Sequence, residues 1–335
     1  MGAKVDPVST VKALGKAIRI RHYSYRTERS YIDWVKNFFG YLANVKKKDT
    51  RAAGLTSEDV RDYLSFLALR KRVSSSTQNQ AFNALLFLFR DILNIELKSI
   101  KDSVRAKRGP KLPVVLTREE VLEVFKHVSG KDKLILQLLY GTGMRISELT
   151  CLRVKDIDFE SGLIFIRSGK GDKDRSAILP EYLKKELRGH LEGVRKLHEK
   201  DLAAGYGEVR MPDSLERKYP NAAKEFGWQF AFPSSRLSPD ILNGKIRRFY
   251  MTPKAIQVAM SKAVKKSGIV KPATVHTLRH SFATHLLIDG VNIRNVQELL
   301  GHSHVETTMI YTHVIRDIIS VPQSPLDKLY AKEAV

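Results

Sequence analysis

The chain has 335 residues, 43% of them hydrophobic, which suits two globular domains and excludes a disordered protein. No apolar run approaches the roughly 18 residues of a membrane helix. The single cysteine, Cys151, excludes an internal disulfide and a thiolate-based zinc site.

Lys and Arg number 58 against 36 Asp and Glu, a formal charge of +22. This surplus favours a nucleic acid partner over an anionic membrane surface, for which no basic amphipathic anchor stands out. The opening MGAKVDPVST lacks an apolar signal core, so we expect a cytoplasmic protein.

The first hundred residues predict helices throughout. One helix begins near Thr27 and carries apolar side chains at helical spacing as far as Leu42. Ser57 is predicted to cap a second helix. A third, opening at Thr77, is apolar around most of its circumference and is therefore expected at the centre of a small bundle.

A basic stretch with few large apolar groups follows at residues 98–113, broken by Gly109, Pro110 and Pro113. It predicts a linker at 106–113 between an N-terminal helical domain, 1–105, and a second domain, 114–335. A solvated loop inside one domain is the alternative.

The second domain is predicted to be mainly helical with a small β-hairpin. Thr117 and Glu120 fit a capping box at the start of its first helix. Apolar runs at 163–166 and 177–179 flank a Gly-rich basic turn, which is typical of a hairpin. Residues 197–237 mix Gly, Pro, charge and aromatic residues and predict an ordered insertion, after which helices resume from Thr252.

Two cationic side chains stand beside breaks in this pattern. Arg145, in GTGMRISEL, follows a glycine-bounded turn at a predicted helix start, where a guanidinium can hold a phosphate through two hydrogen bonds. Lys170 lies between Gly169 and Gly171 in the hairpin turn, where it can donate a proton to a leaving oxygen. A surface arginine and a solvated turn are the alternatives.

The segment HTLRHSFATHLL places His276 and Arg279 three residues apart, on one helix face suited to an anionic oxygen. His280 and His285 in the same segment are expected to be structural. The spacing of the three histidines matches no usual zinc pattern, and we expect no metal site.

The last segment, LLGHSHVETTMIYTHV, has His302 directly after Gly301 and Tyr311 nine residues later. A tyrosine hydroxyl is a poor nucleophile near neutrality because its pKa is about 10, but surrounding cations favour the phenolate. Attack on phosphorus would form an aryl phosphodiester that stores the energy of the broken strand. The alternative is that Tyr311 is a half-buried aromatic residue. Its assignment as a nucleophile depends on the other three segments.

Together these segments resemble the tyrosine recombinases of the phage-integrase family. The arginine box GTGMRISEL, the LRHSFATHL box, LGH and the ending T-x-x-YTH appear in the family's order. The resemblance implies a two-domain, C-shaped clamp with an N-terminal core-binding domain and a catalytic domain. Its catalytic set corresponds to Arg145, Lys170, His276, Arg279, His302 and Tyr311.

The resemblance also implies a mechanism and an assembly. Arg145 and Arg279 would clamp the scissile phosphate, and His276 and His302 would supply hydrogen bonds and transfer protons. Lys170 would protonate the 5′-oxygen, and Tyr311 would form a 3′-phosphotyrosine. No cofactor is implied. The resemblance implies a homotetramer around two DNA sites. We expect the apolar tail, 315–335, to dock on a neighbouring subunit, with packing on its own domain as the alternative.

Within the family, the segment RKYPNAAKEFGWQFAFPSSRLS closely resembles the extra helix of integron integrases. Those enzymes join a duplex site to a folded single-stranded hairpin whose unpaired bases protrude, and an aromatic, basic insertion suits such bases. Phe249 is a further candidate for base contact, with packing as its alternative. The residues predicted to contact DNA are Arg167, Lys173, Arg175, Trp228, Arg247, Arg248 and Tyr250.

Three alternatives remain open at this point. A phage-type or chromosome-dimer-resolving recombinase would act on duplex sites only. An enzyme similar to type IB topoisomerases would relax supercoils without site preference. A catalytically silent DNA-binding protein would need none of the catalytic side chains, which makes it the least favoured.

Overall fold

The structure is a computed structural model that describes residues 4–97, 112–167, 174–211, 215, 218, 219 and 221–319, without the side chains of 313–319. None of the helices in these ranges is long and apolar enough to cross a membrane. The chain divides into two compact units, Met1–Lys111 and Leu112–Val335.

Four capped helices form the N-terminal unit: α1 (Pro7–Ile20), α2 (Tyr25–Asn44), α3 (Ser57–Leu69) and α4 (Ser75–Phe87), the last continuing as a π-helical turn, Leu88–Ile92. Their first turns are closed by side-chain oxygens of Asp6, Ser24, Thr56 and Ser74. The predicted starts at Ser57 and Thr77 are therefore displaced, because Thr56 and Ser74 each accept a backbone N–H three residues ahead. Phe38, Tyr63 and Phe89 pack edge to face in the core of the bundle.

The C-terminal unit contains further helices and two small sheets. Its helices are α5 (Arg118–Lys126), α6 (Gly130–Thr142), α7 (Ile146–Thr150), α8 (Lys184–Ala203), α9 (Pro253–Lys266), α10 (Val275–Ile288), α11 (Ile293–Leu300) and α12 (Glu306–Ile319). The predicted capping box at α5 is confirmed, since Thr117 and Glu120 each accept the other's backbone N–H. Helix α8 continues past residue 197, where the insertion was predicted to begin, because Val194 and His198 keep one face of it buried.

The first sheet is antiparallel and has the order β1 (Ile157–Asp158), β2 (Leu163–Ile166), β3 (Arg175–Ile178). The predicted hairpin is confirmed, with Ile164 opposite Ala177. A second, two-stranded sheet pairs β4 (Pro233–Pro239) with β5 (Ile246–Tyr250). It was not predicted, because most of its side chains are exposed or half-buried and give no alternation of apolar and polar residues.

Three hydrophobic clusters hold this unit together. The main core joins the first sheet to α5, α6, α8, α9 and α10 through residues such as Ile164, Leu136 and Leu278. A smaller cluster between α10, α11 and α12 contains Phe282, Val296, Leu300 and Tyr311. A third lies in the region after α8 and is formed by Val209, Met211, Ala222, Ala223 and Phe230. The predicted fold class, mainly helical with a small sheet, is confirmed.

Candidate active site

Side chains from four segments of the C-terminal unit meet around one buried arginine. One precedes α7, three lie on the first two turns of α10, one follows α11 and one lies on α12: Arg145, His276, Arg279, His280, His302 and Tyr311. Helix α10 contacts α6, α11 and α12, which brings the four segments together. The structure thus gathers five of the six predicted catalytic residues, and Lys170 lies outside the described residues.

Arg279 lies at the centre of the group and is 2% exposed. It donates to the carbonyl oxygens of Gly143 at 2.6 Å and Leu300 at 2.7 Å, and to Nε2 of His302 at 3.0 Å. Burial, and then repulsion from Arg145, lowers the pKa of Arg279 to about 10, so it is a cation at neutral pH. Arg279 therefore fixes the ends of α6 and α11 and supplies positive charge in a site of low dielectric constant.

Two glycines allow these backbone segments to approach the site. Gly143 has φ +63°, and a Cβ there would lie 2.4 Å from Cδ1 of Phe282. Gly301 also has φ +63°, and its Cβ would lie 2.8 Å from Cδ of Arg175. Both positions exclude a side chain by conformation and by space, so each glycine is required for the placement of the residue that follows it in the site.

His302 is held by hydrogen bonds at both ring nitrogens. Because a guanidinium only donates, Nε2 accepts from Arg279, and the ring proton therefore lies on Nδ1, which donates to Thr308 Oγ1 at 2.8 Å. Burial, and then the nearby arginines, lower the pKa of His302 to about 3, so the ring is neutral. Its ring is parallel to that of Tyr311, with centroids 6.5 Å apart. His302 therefore orients Arg279 rather than carrying charge itself.

Glu148 links two arginines beneath the site. It accepts from the backbone N–H of Arg145 at 2.8 Å and from its guanidinium at 2.7 Å, while Arg175 binds it with two bonds of 2.7 and 3.0 Å. Burial would raise the pKa of Glu148, but the hydrogen bonds from Arg175 and Arg145 lower it to about 2. Sequence reasoning missed Glu148, although it lies three residues after Arg145 on a short helix, the spacing of a capping residue.

Tyr311 is buried, at 1% exposure, between α10 and α12. Its hydroxyl lies 3.0 Å from Nδ1 of His280. Burial raises the pKa of Tyr311, and the charges of Arg279 and Arg145 lower it by less. The two guanidiniums favour the phenolate, as predicted, but burial outweighs them, so the pKa of Tyr311 is raised on balance.

His280 was predicted to be structural, and the structure places its Nδ1 at the hydroxyl of Tyr311, a contact that the sequence reasoning did not anticipate. Its ring also packs edge to face on that of His276, with centroids 4.5 Å apart. A sequence signal was available, since His280 follows His276 by four residues and so shares its helix face. His285 agrees with its predicted structural role, because its Nδ1 bonds the hydroxyl of Tyr140 at 2.8 Å beside the core.

A cavity of about 410 Å³ opens beside His276. It is lined by Met144 and Ile146, which flank Arg145, and by Gln257 and Ser261 of α9. Arg145 is itself part-exposed, with 23% of its side chain accessible. His276 can thus be reached from this side. Within the described residues, no group of three or more His, Cys, Asp or Glu side chains could hold a metal ion.

Three arginines predicted to contact DNA have internal partners, and these predictions are corrected. Arg175 is almost buried on Glu148 and donates to the carbonyl of Leu299 at 3.0 Å. Arg247 is buried against Asp240. Arg248 donates to Asp201 at 2.7 Å and to the carbonyl of Ser234 at 2.9 Å. Each is neutralised by a buried carboxylate, because an unpaired buried guanidinium is too costly.

The other predicted contacts differ in accessibility. Arg167 is half-exposed and pairs with Asp156 at 2.7 Å. Trp228 is half-buried, with Lys155 Nζ 3.0 Å from its ring centroid. Tyr250 is half-buried against Phe230, and Phe249 is half-buried next to it. Lys173 lies outside the described residues.

Two family profiles match the chain. The phage integrase family matches residues 114–317, more than half of the sequence and all of the site described above. The N-terminal SAM-like domain of phage integrases matches residues 11–99.

Curated relatives extend the match over the whole chain. An "Integrase/recombinase" of Escherichia coli is 46% identical over 330 residues, covering 98% of this chain and 96% of its own. "Tyrosine recombinase XerA" of Thermococcus onnurineus (strain NA1) is 37% identical over 259 residues, covering 76% of this chain and 77% of its own.

Solved structures share the fold at lower identity. A lambda integrase dimer bound to a COC′ core site is similar with a TM-score of 0.61 and 17% identity, covering 94% of this chain and 97% of that one. XerH site-specific recombinase bound to palindromic difH substrate has a TM-score of 0.58 and 22% identity, covering 93% of this chain and 84% of that one. The chain belongs to the phage integrase family and is a tyrosine site-specific recombinase that acts on DNA.

Proposed function

We propose that Tyr311 is the nucleophile of this recombinase. Its hydroxyl oxygen attacks the scissile phosphorus, the bond from phosphorus to the 5′-oxygen breaks, and the 3′-phosphate stays linked to the tyrosine. A 5′-hydroxyl of the partner strand reverses the step, so religation needs no nucleotide. The observation that carries this proposal is the convergence of Arg145, Arg279 and three histidines on one tyrosine.

In this proposal each surrounding residue has a different role. Arg145 is part-exposed beside the cavity and donates to the non-bridging oxygens, while buried Arg279 adds charge that stabilises the phosphorane-like transition state. His276 lines the cavity and supplies a hydrogen bond. His302 keeps Arg279 in place. Lys170 is the proposed donor of the proton to the 5′-oxygen.

The assignment is tested with Tyr311→Phe on a labelled nicked site. We expect no covalent protein–DNA band, because phenylalanine has no oxygen to attack phosphorus. Tyr140→Phe is a matched control, since the Tyr140 hydroxyl is also bonded to a histidine of α10, but to His285, which is not one of the six residues grouped around Arg279. A persistent band with Tyr311→Phe would remove Tyr311 from the role.

We further propose that the enzyme is an integron integrase, joining a duplex site to a folded single-stranded hairpin. The region after α8 supports this with two exposed tyrosines, Tyr206 and Tyr219. Lys218 Nζ lies 5.4 Å from the centroid of the Tyr219 ring. Exposed rings beside a cation suit protruding bases, which bind by stacking and by attraction of their phosphates.

Point substitutions test this substrate better than removal of residues 214–237, because that segment includes Phe232 of the main core. Tyr219→Ala is expected to weaken binding of a folded single strand by about 5- to 150-fold, the range for one lost stacking contact. Binding of a duplex site should not change. Tyr182→Ala is the control, since Tyr182 is exposed but precedes α8. Equal losses on both DNAs would contradict the proposal.

A recombinase that acts on duplex sites only is the second candidate. The internal pairing of Arg247 and Arg248 favours it, because it removes two cations from the surface proposed to bind a single strand. Cleavage of duplex but not of folded single-stranded sites would establish this candidate. Supercoil relaxation without site preference would instead indicate an enzyme similar to type IB topoisomerases.

We propose that four subunits assemble on two sites and that the tail, 315–335, docks on a neighbouring subunit. The support is the run of apolar residues in the sequence after Tyr311. Residues 320–335 and the side chains of 313–319 lie outside the described part of the chain.

A further inference from the structure

Helix α10 makes two hydrogen bonds of the same kind to tyrosines. His285 Nδ1 lies 2.8 Å from the hydroxyl of Tyr140, and His280 Nδ1 lies 3.0 Å from the hydroxyl of Tyr311. The first pair lies beside the core, whereas the second includes the proposed nucleophile. The same histidine–tyrosine hydrogen bond therefore occurs once in a structural position and once at the oxygen that is proposed to react.

The other polar groups near the Tyr311 hydroxyl are not placed to accept its proton. Arg279 and Arg145 only donate hydrogen bonds. His302 uses Nε2 to accept from Arg279 and Nδ1 to bond Thr308. His280 offers Nδ1 directly to the hydroxyl. His276 packs on the ring of His280, with centroids 4.5 Å apart, and among the described histidines it is His280 that is hydrogen-bonded to the Tyr311 hydroxyl. Of the side chains in this group, His280 is therefore the one positioned to take the proton.

The protonation state of His280 is suited to this. Burial, and then the neighbouring His276 and Arg279, lower the pKa of His280 to about 4. The ring is therefore neutral at neutral pH and keeps a lone pair for the hydroxyl. The charges of Arg279 and Arg145, which face Tyr311, favour transfer of the proton away from the oxygen.

We propose that His280 is the general base of DNA cleavage, an inference that rests on the proposed role of Tyr311. As the tyrosine oxygen bonds to phosphorus, its proton moves to Nδ1 of His280 and the bond to the 5′-oxygen breaks. The 5′-oxygen takes its proton from a separate donor, Lys170 in the proposed mechanism. In religation the imidazolium of His280 returns its proton to the tyrosine oxygen, and the attacking 5′-hydroxyl returns its own proton to Lys170.

The test is single-turnover cleavage of a nicked site by the full-length protein with two leaving groups. One substrate has the natural 5′-oxygen, and the other has a bridging 5′-sulfur, which leaves without needing a proton. His280→Ala and His280→Asn should both cleave about 10²- to 10⁴-fold more slowly on either substrate. Asparagine keeps an acceptor near the position of Nδ1 but does not take a proton. Lys170→Ala should be slow on the oxygen substrate only.

Matched measurements separate this role from folding and from binding. His285→Asn makes the same change at the structural pair and should cleave at nearly the rate of the unchanged protein. Site affinity and circular dichroism should be the same for both asparagine variants.

Four results would overturn the proposal. They are an unchanged or faster rate for His280→Ala, a normal rate for His280→Asn, recovery of the His280 variants on the sulfur substrate, and equal slowing by His285→Asn. Failure of the Tyr311 assignment is distinguishable, because it appears as a covalent band that survives Tyr311→Phe.

Discussion

Glu148 connects the cationic residues of the site to the fold. It is buried, accepts four hydrogen bonds from Arg145 and Arg175, and through Arg175 is tied to the backbone at the end of α11. Removing its charge leaves Arg175 buried without a counter-ion, a situation that destabilises proteins strongly. Glu148 therefore contributes both to stability and to the position of Arg145.

We expect Glu148→Gln to lower the free energy of unfolding by about 3 kcal/mol at pH 7, the equivalent of a carboxyl pKa lowered from 4.5 to about 2. Because the pKa in the folded protein is the lower one, this stabilisation is complete above pH 4.5 and is lost as the pH falls to about 2. Urea unfolding at several pH values measures it.

Glu160→Gln is the control for this prediction, since Glu160 is exposed and its replacement should change stability by less than about 0.5 kcal/mol. A deficit for Glu148→Gln that stays the same between pH 7 and pH 2 would show that the ionised carboxylate is not its source.

The sequence predicted residue types better than residue partners. Arg145, His276, Arg279, His302 and Tyr311 could be selected because they occur in short segments next to turns and in the order of a known family. The direction of a side chain across the fold depends on contacts between distant segments, which local spacing does not encode. For this reason the inward turn of Arg175 and the bond between His280 and Tyr311 were both missed.

At the scale of elements, local signals were reliable where they were self-contained. The capping box of α5 involves two residues of one turn and was predicted correctly. Strands β4 and β5 were missed because their stability comes from pairing with each other and from ion pairs such as Arg247 with Asp240. The insertion was predicted to begin at residue 197, which lies inside α8 because burial of Val194 and His198 continues the helix beyond that point.

At this scale we predict the effect of a substitution in the turn between α6 and α7. Gly143→Ala forces a side chain into a positive φ and against the ring of Phe282, which we expect to cost about 2–5 kcal/mol of stability. It should also slow cleavage, because the Gly143 carbonyl that holds Arg279 must move. Thermal unfolding and single-turnover cleavage measure the two effects.

Gly189→Ala is the matched control, since Gly189 lies in α8 with open space around its Cα. Alanine there should stabilise the helix by up to about 1 kcal/mol and leave cleavage unchanged. Equal stability of the Gly143 and Gly189 variants would contradict the account of the turn.

At the scale of the whole molecule, composition and charge gave the partner correctly. A surplus of 22 positive charges pointed to nucleic acid, and the family to which the chain belongs acts on DNA. The sequence could not decide which DNA is preferred, because that depends on which cations and rings of the region after α8 remain exposed once it has folded. Tyr219 is exposed, whereas Arg247 and Arg248 are not.

Assembly gives the prediction at this scale. Deleting residues 322–335 should weaken synapse formation more than binding to a single site, because docking on a neighbour is needed only when subunits meet. Sedimentation of the protein with one or two sites compares the two equilibria in the same variant. Equal loss of both would instead indicate that the tail packs on its own domain.

Identification of the residue bonded to DNA tests the central claim most directly. The covalent complex is trapped on a nicked site, digested with nuclease and trypsin, and sequenced by mass spectrometry. The tryptic peptide from Asn295 to Arg316 contains one tyrosine, Tyr311. We predict that this peptide carries the nucleotide remnant through a 3′-phosphate on Tyr311. A remnant on any other residue, or a linkage through a 5′-phosphate, would contradict the account.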